Sequence, residues 1–229
     1  MLSILAGGDT TSASMRVVVY YLAESPDAYR KLFTELTSAS LTLPAQWKDT
    51  RDLPYLDTVI GESMRLNPGI AMVFERVAPD GGYTLPDGRY IPAGTKVGIN
   101  PSVTNRDYTV FGQDADIFRP DRWLRQESEA AEEYQERHRR MNDTCNFVFG
   151  GGRICMGRYL AMLEIKKLIA ILYSTFDVSG VLYPLVQRPC TRTFDTQLHP
   201  VDHKHEWTYR NAWLAYQSDM PMTITRRAV

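Results

Sequence analysis

Residues 147–165 read FVFGGGRICMGRYLAMLEI: three consecutive glycines, an arginine and a cysteine stand ahead of a long apolar run. A helix beginning near Gly157 would put Cys155 at its N-terminus. Unpaired amide hydrogens and the positive end of the helix dipole favour a thiolate there. Gly150, Gly151, Gly152 and Gly157 remove side chains where a flat macrocycle would lie against the backbone. Arg153 suits a carboxylate at the edge of such a ligand. The same residues also read as a glycine-rich turn before a buried helix, with Cys155 a small packing residue. The segment alone leaves both readings open.

Composition narrows the field. The chain has 229 residues, 44% of them hydrophobic, enough for one sizeable core. A net charge of −1, with acids and bases interspersed, argues against an electrostatic nucleic-acid binder. Cys145, Cys155 and Cys190 stand far apart with no C-x-x-C pair, which reads as a reducing compartment rather than a zinc or disulfide framework. No apolar run approaches the roughly 20 residues that span a bilayer, and the N-terminus is no signal peptide. The opening MLSILAGGDTTSASMRVVVYYLAESP starts inside what reads as a long helix, without a cap. The expectation is therefore the back half of a larger protein.

Along the chain, residues 1–24 predict a helix interrupted at Gly7-Gly8. Pro26 starts a second, with Tyr29, Leu32, Phe33 and Leu36 at helical spacing. Residues 41–54 read as a connector. From Leu53-Pro54, YLDTVIGESMRL predicts a third helix, stopped by Asn67-Pro68-Gly69. The period then changes: residues 70–78, 82–94 and 95–100 are β-branched and aromatic, split by Asp-Gly and Pro-Ala-Gly turns, so strands and hairpins. Residues 105–124 read as an irregular packed loop, and 125–140 as a charged, solvated helix or loop. A helix of about 19 residues, some 28 Å by helical rise, follows the glycine loop. In the tail, EWTYRNAWLAYQ and MPMTITRRAV predict a closing hairpin. The class is mainly α with a minor antiparallel β-sheet.

Three further stretches carry chemistry or packing. In GESMRL, Glu62 and Arg65 share a face of an otherwise apolar helix, so a buried pair would need more partners, and Arg122 of FRPDRW is a candidate. In LAGGDTTS, two helical glycines cost about 1 kcal/mol each relative to alanine. Either the helix breaks and Asp9 or Thr10 caps its continuation, or a bared turn admits a macrocycle and a diatomic ligand beside an acid–alcohol pair. The cluster His199, Asp202, His203, His205 and Glu206 has metal-ligand types without a closed four-ligand set, and reads as an exposed polar connector.

Taken in order, these pieces resemble the cytochrome P-450 superfamily, the haem-thiolate monooxygenases. The family's signatures appear as Ala6-Gly7-Gly8-Asp9-Thr10-Thr11, Glu62-x-x-Arg65, Pro120-Asp121-Arg122-Trp123 and Gly151-x-Arg153-x-Cys155-x-Gly157. The phrasing is similar to eukaryotic, fungal microsomal members, near the pisatin-demethylase and benzoate-hydroxylase groups. The resemblance covers residues 1–229 as a single partial domain, the C-terminal portion of the fold. It implies Cys155 as axial ligand of haem b, Gly151 and Gly157 beside the ring, and Arg153 and Arg76 toward its propionates. It implies Asp9 and Thr10 in oxygen activation, and Glu62, Arg65 and Arg122 as a structural triad. Residues 69–74, and the turn near Gln217 to Met220, would line a substrate pocket.

The implied function is insertion of one oxygen atom from O2 into a small organic substrate, in fungal secondary or xenobiotic metabolism. Electrons would come from NADPH through NADPH-cytochrome P-450 reductase. The full-length protein would be anchored at the cytosolic face of the endoplasmic reticulum membrane. Two departures stand out. Counting back from Cys155, the signature phenylalanine position holds Val148, and Phe149 comes one residue late, so the loop is one residue short. The second and larger departure is length: the family's early helices and pocket lid have no counterpart in these residues, so the isolated chain is expected to be unstable or to hold haem poorly. A non-catalytic remnant and a haem-thiolate isomerase or peroxygenase are the alternative readings.

Overall fold

The computed structural model describes residues 2–150, 154–180, 197–202, 205–211, 215–217 and 222–226. Helices α1 (Leu2–Glu24), α2 (Pro26–Ser38), α4 (Pro54–Leu66) and α8 (Arg158–Thr175) build the main core. Each presents apolar residues three or four apart: Val18 and Leu22, Leu32 and Leu36, Leu56, Val59 and Ile60, then Ile165, Ile169 and Tyr173, all buried. Each such leucine or isoleucine contributes about 1.5–3 kcal/mol through burial.

The helix junctions are specified by polar groups. Pro26 and Pro54 stand at first helical positions, where a missing N–H costs nothing. The start of α4 has no cap from its own segment. Instead the Glu35 carboxylate, reaching from α2, accepts the amides of Tyr55 at 2.7 Å and Leu56 at 2.8 Å. A negative group at a helix N-terminus also opposes the dipole favourably. Beside it, buried Lys166 of α8 donates to the Arg51 carbonyl at 2.8 Å and pairs with Asp57 at 2.6 Å.

The connector over residues 41–54 contains a short helix, α3 (Trp47–Thr50). Beyond α4, strands β1 (Phe74–Val77) and β4 (Lys96–Ile99) pair antiparallel, with Arg76 opposite Val97. Between them lies the small hairpin β2 (Tyr83–Thr84) and β3 (Tyr90–Ile91), turned at Asp87-Gly88 with Gly88 at φ +87°. Gly98 of β4 cannot be replaced freely: a Cβ there would lie 2.4 Å from Val73 and 2.6 Å from the Phe74 carbonyl oxygen.

Several expectations are corrected. The first helix runs unbroken through Gly7-Gly8, and neither Asp9 nor Thr10 caps a new segment. Thr10 instead donates its hydroxyl to the Ala6 carbonyl at 2.8 Å, the back-bond a threonine makes inside a continuous helix. The stretch 105–124 is more ordered than a loop. After α5 (Pro101–Thr104) come α6 (Tyr108–Phe111) and a 3₁₀ turn, Pro120–Trp123. The charged stretch is part of α7 (Ala131–Asn146) and is only partly solvated. Arg137 is bonded to Glu129 and donates to the carbonyls of Arg122 and Leu124, and Met141 is buried against Phe111 and Trp123.

The tail also differs. The stretch read as a polar connector forms β6 (Gln197–Asp202), which pairs antiparallel with β7 (His205–Asn211). That strand in turn pairs with β8 (Ala215–Gln217). The final strand, β9 (Met222–Arg226), does not close a hairpin with them but pairs with β5 (Phe176–Gly180) directly after α8. Local hairpin logic pairs neighbours in sequence, whereas β5 offers a partner set by the end of α8. Cys190, His203 and Met220 lie outside the described residues. The architecture is mainly helical with small antiparallel sheets, and among the described residues no helix is long and apolar enough to cross a membrane.

Replacing Glu35 by alanine removes both acceptors at the start of α4 and should cost about 1–2 kcal/mol of stability. Urea unfolding of the two proteins measures it, and a Glu35→Gln variant should recover part of the loss.

Candidate functional site

The α4 helix places Glu62 and Arg65 one turn apart on its inner face, both fully buried. Glu62 Oε1 accepts from Arg65 Nη2 at 2.8 Å, Arg122 Nε at 2.8 Å and the Arg119 amide at 3.0 Å. Oε2 accepts from Arg65 Nε at 2.8 Å and from the Trp123 indole at 2.8 Å. The remaining guanidinium hydrogens are also used. Arg65 reaches the carbonyls of Asn105 at 2.7 Å and Ala115 at 2.6 Å, and Arg122 those of Phe111 at 2.6 Å and Asp114 at 2.8 Å. A buried ion pair holds together only when its spare donors and acceptors are satisfied in this way. Burial pushes the Glu62 carboxyl up, but the hydrogen bond and charge of Arg65, then the charge of Arg122, outweigh it and hold Glu62 below its ordinary value.

Trp123, from the Pro120-Asp121-Arg122-Trp123 signature, and the Arg119 amide also belong to this knot, beyond the triad expected from sequence. The usable signal was the tryptophan next to Arg122, an indole donor that needs a partner once buried. The knot ties α4 to residues 105–123, and Arg137 of α7 then fastens the far side of that segment.

From α7 the chain enters a 3₁₀ turn at Phe147–Phe149 and then Gly150, whose φ of +99° bends it toward Cys155. The loop is closed by the Cys155 amide, which donates to the Phe149 carbonyl at 2.7 Å. The Cys155 thiol is free and exposed. A Cβ on Gly157, the residue before α8, would lie 3.8 Å from Cys155 Sγ, so the sulfur sits beside the helix start. No side chain caps that start and no acid stands in its first turn. Its first amides are thus left without a side-chain partner from the helix's own start. Gly151 and Arg153 lie outside the described residues. Arg76, on β1, extends to the same loop, with Nη2 3.3 Å from the Gly150 carbonyl oxygen. Phe74 on that strand meets Phe147 edge-on, with centroids 5.8 Å apart.

Asp9 and Thr10 lie on α1, which packs on α8. A Cβ on Gly7 or Gly8 would meet nothing within 4 Å, so that turn is bare. A Cβ on Gly69 would lie 3.4 Å from Ser14 Oγ and 3.6 Å from the Thr10 carbonyl oxygen. The loop after α4, the start of the expected pocket lining, therefore runs against the Thr10 turn. Tyr21 of α1 anchors it by donating to Asn67 Oδ1 at 2.5 Å. These residues fit a haem: an exposed soft donor at a helix start, a bare glycine turn, and exposed apolar Met156 and Leu160 close to the cysteine in sequence. The side chains of His199, Asp202, His205 and Glu206 lie outside the described residues. Among the side chains described, no group of three metal-ligating residues forms.

The family pattern Cytochrome P450 matches residues 1–194. The Cytochrome P450 monooxygenase cfoH of Aspergillus candidus is 35% identical over 99% of this chain and 39% of its own length. The Cytochrome P450 monooxygenase mpaDE of Penicillium roqueforti (strain FM164) is 38% identical over 99% of this chain and 24% of its own. The Cytochrome P450 monooxygenase ACRTS1 of Alternaria alternata is 34% identical over 99% and 53%. The chain belongs to the cytochrome P450 family, as the order of its motifs implied, and the family's cofactor is haem. It spans between about a quarter and about half the length of these fungal relatives.

Converting Glu62 to glutamine leaves two buried guanidinium groups without their counter-charge, and should cost about 3–5 kcal/mol at neutral pH. Because the folded carboxyl titrates below its ordinary value of 4.5, its contribution is complete above that pH and is lost as pH falls through the lower folded value. Denaturant unfolding across this acid range should show a flatter slope in Glu62→Gln than in the parent chain.

Proposed function

We propose that this chain is the haem-binding part of a monooxygenase that inserts one oxygen atom from O2 into a small organic substrate in fungal secondary or xenobiotic metabolism. The observation that carries the reading is the free, exposed thiol of Cys155 beside the uncapped start of α8. Bound haem b would supply the oxidising chemistry: one oxygen atom goes into the substrate and the other leaves as water, with two electrons and two protons consumed.

The protein's part is to hold and to supply. Cys155, at the uncapped start of α8, would be the iron ligand of a bound haem. Arg76, already at the Cys155 loop, and Arg153 receive the carboxylates at the ring's edge. Thr10 spends its hydroxyl hydrogen on Ala6, so its oxygen presents lone pairs and accepts hydrogen bonds on the bare turn. Asp9, exposed next to it, takes protons from solvent and passes them to that turn. The loop from Gly69, lying against the same turn, brings substrate contacts to where those protons arrive.

Electrons come from NADPH through a flavoprotein reductase. The similarity to microsomal fungal members supports a full-length protein at the cytosolic face of the endoplasmic reticulum. Haem titration followed by reduction under carbon monoxide tests the assignment. The parent chain should give the red-shifted Soret band of a thiolate-ligated ferrous–CO complex, and Cys155→Ala should lose it. An unchanged band in that variant overturns the ligand. In the loaded protein Thr10→Ala should raise the peroxide released per NADPH consumed, and NADPH-independent turnover would overturn the need for a reductase.

A further inference from the structure

A cleft of about 610 Å³ lies between α4, α7 and α8, behind the Cys155 loop. Its described walls include no residue of α1 and do not include Cys155. The floor is one face of α4, from Pro54 past Thr58 and Gly61 to Arg65, about 17 Å long at helical rise. The facing wall is a single stripe of α7 at four-residue spacing, Tyr134, His138 and Asn142. Trp123 is 6% exposed and Tyr159 72%, so the cleft is closed on one side and opens to solvent on the other. The volume falls within the usual range for small-molecule sites.

The chemistry of the walls selects the occupant. Arg65 is spent on Glu62, and the Arg158 guanidinium folds over the Tyr159 ring at 4.5 Å. Burial raises the Asp57 carboxyl despite Lys166, and burial followed by the charge of Arg137 lowers His138. Burial also pushes the Cys145 thiol up to about 12. Asp57 is already paired with Lys166 at 2.6 Å and Arg158 lies over a ring, so the walls offer ring faces rather than a convergent set of unpaired charges. Rings of Trp123, Tyr134 and Phe149 line the space. The Asn142 amide nitrogen is engaged with the His138 carbonyl at 3.0 Å, which leaves its carbonyl oxygen to accept.

We propose that this cleft is a second ligand site, for a neutral, planar aromatic molecule carrying one O–H or N–H donor, which the Asn142 carbonyl accepts. The site does not depend on haem. It is nonetheless built into the back of the loop that presents the thiol, since Phe149 lines the cleft and its carbonyl accepts the Cys155 amide.

Calorimetric titration of 2-naphthol into the 229-residue chain tests it. Saturable one-site binding is expected, with 2-naphthoate weaker by at least about tenfold because its carboxylate has no donor for the Asn142 carbonyl and sets an acceptor against it. A Cβ on Gly61 would stand 3.8 Å from the Trp123 ring, so Gly61→Leu fills the cleft and should weaken 2-naphthol by at least about tenfold. Asn142→Leu keeps the volume and should weaken it about fivefold through one hydrogen bond. Circular dichroism checks that both variants keep the parent helix content, and Asn142→Leu decides if Gly61→Leu does not fold. The proposal is overturned if the folded parent takes up no 2-naphthol, if the folded variants bind it as the parent does, if 2-naphthoate binds as tightly, or if haem displaces it.

Discussion

One carboxylate with five donors on it governs this chain. Glu62 is fully buried, so the lone pairs it offers are met by protein donors. Arg65, Arg122, Trp123 and the Arg119 amide meet them. The consequence is geometric. A segment of irregular backbone, which has few ladder hydrogen bonds of its own, takes a fixed path because its carbonyls are needed to finish the solvation of two guanidinium groups. The α7 helix inherits its position from that path through Arg137, and the Cys155 loop inherits its own from α7. A thiol at the protein surface is in this sense placed by a charge buried several elements away.

The four-helix core does a different job. It brings α1 and α8 together while leaving the Gly7-Gly8 turn uncovered and the cysteine exposed. Burial within these helices is apolar and tolerant in detail, whereas the polar contacts at their ends are specific. Glu35 at the start of α4 and Lys166 against Arg51 and Asp57 set which helix meets which, and at what height. Positioning in this molecule thus rests on polar contacts at helix ends, and cohesion rests on the leucines and isoleucines between them.

Much of this was legible in the sequence where one element carries its own signal. Pro26, Pro54 and Asn67-Pro68-Gly69 mark helix limits because proline geometry acts locally. The Glu62–Arg65 spacing announces a shared face, and the apolar neighbours announce its burial. What escaped was whatever a distant partner decides. Gly7-Gly8 looked like a break because helix propensity counts only the local cost, while packing along α1 keeps the helix whole. The stretch containing Arg137 looked solvated because its charges dominate the composition, yet one arginine and one methionine turn inward. The pairing of the last strand with β5 rather than with its neighbours has no local signature at all.

Arg76 projects toward the cysteine loop from a two-stranded ribbon whose opposite strand carries Gly98. Any larger residue there would strike Val73 and the Phe74 carbonyl and pry the ribbon apart. A position outside the cysteine loop is therefore the mechanical stop against which the arginine is aimed. Tolerance to change around the Cys155 loop should follow the stiffness of this ribbon as closely as it follows proximity to the sulfur.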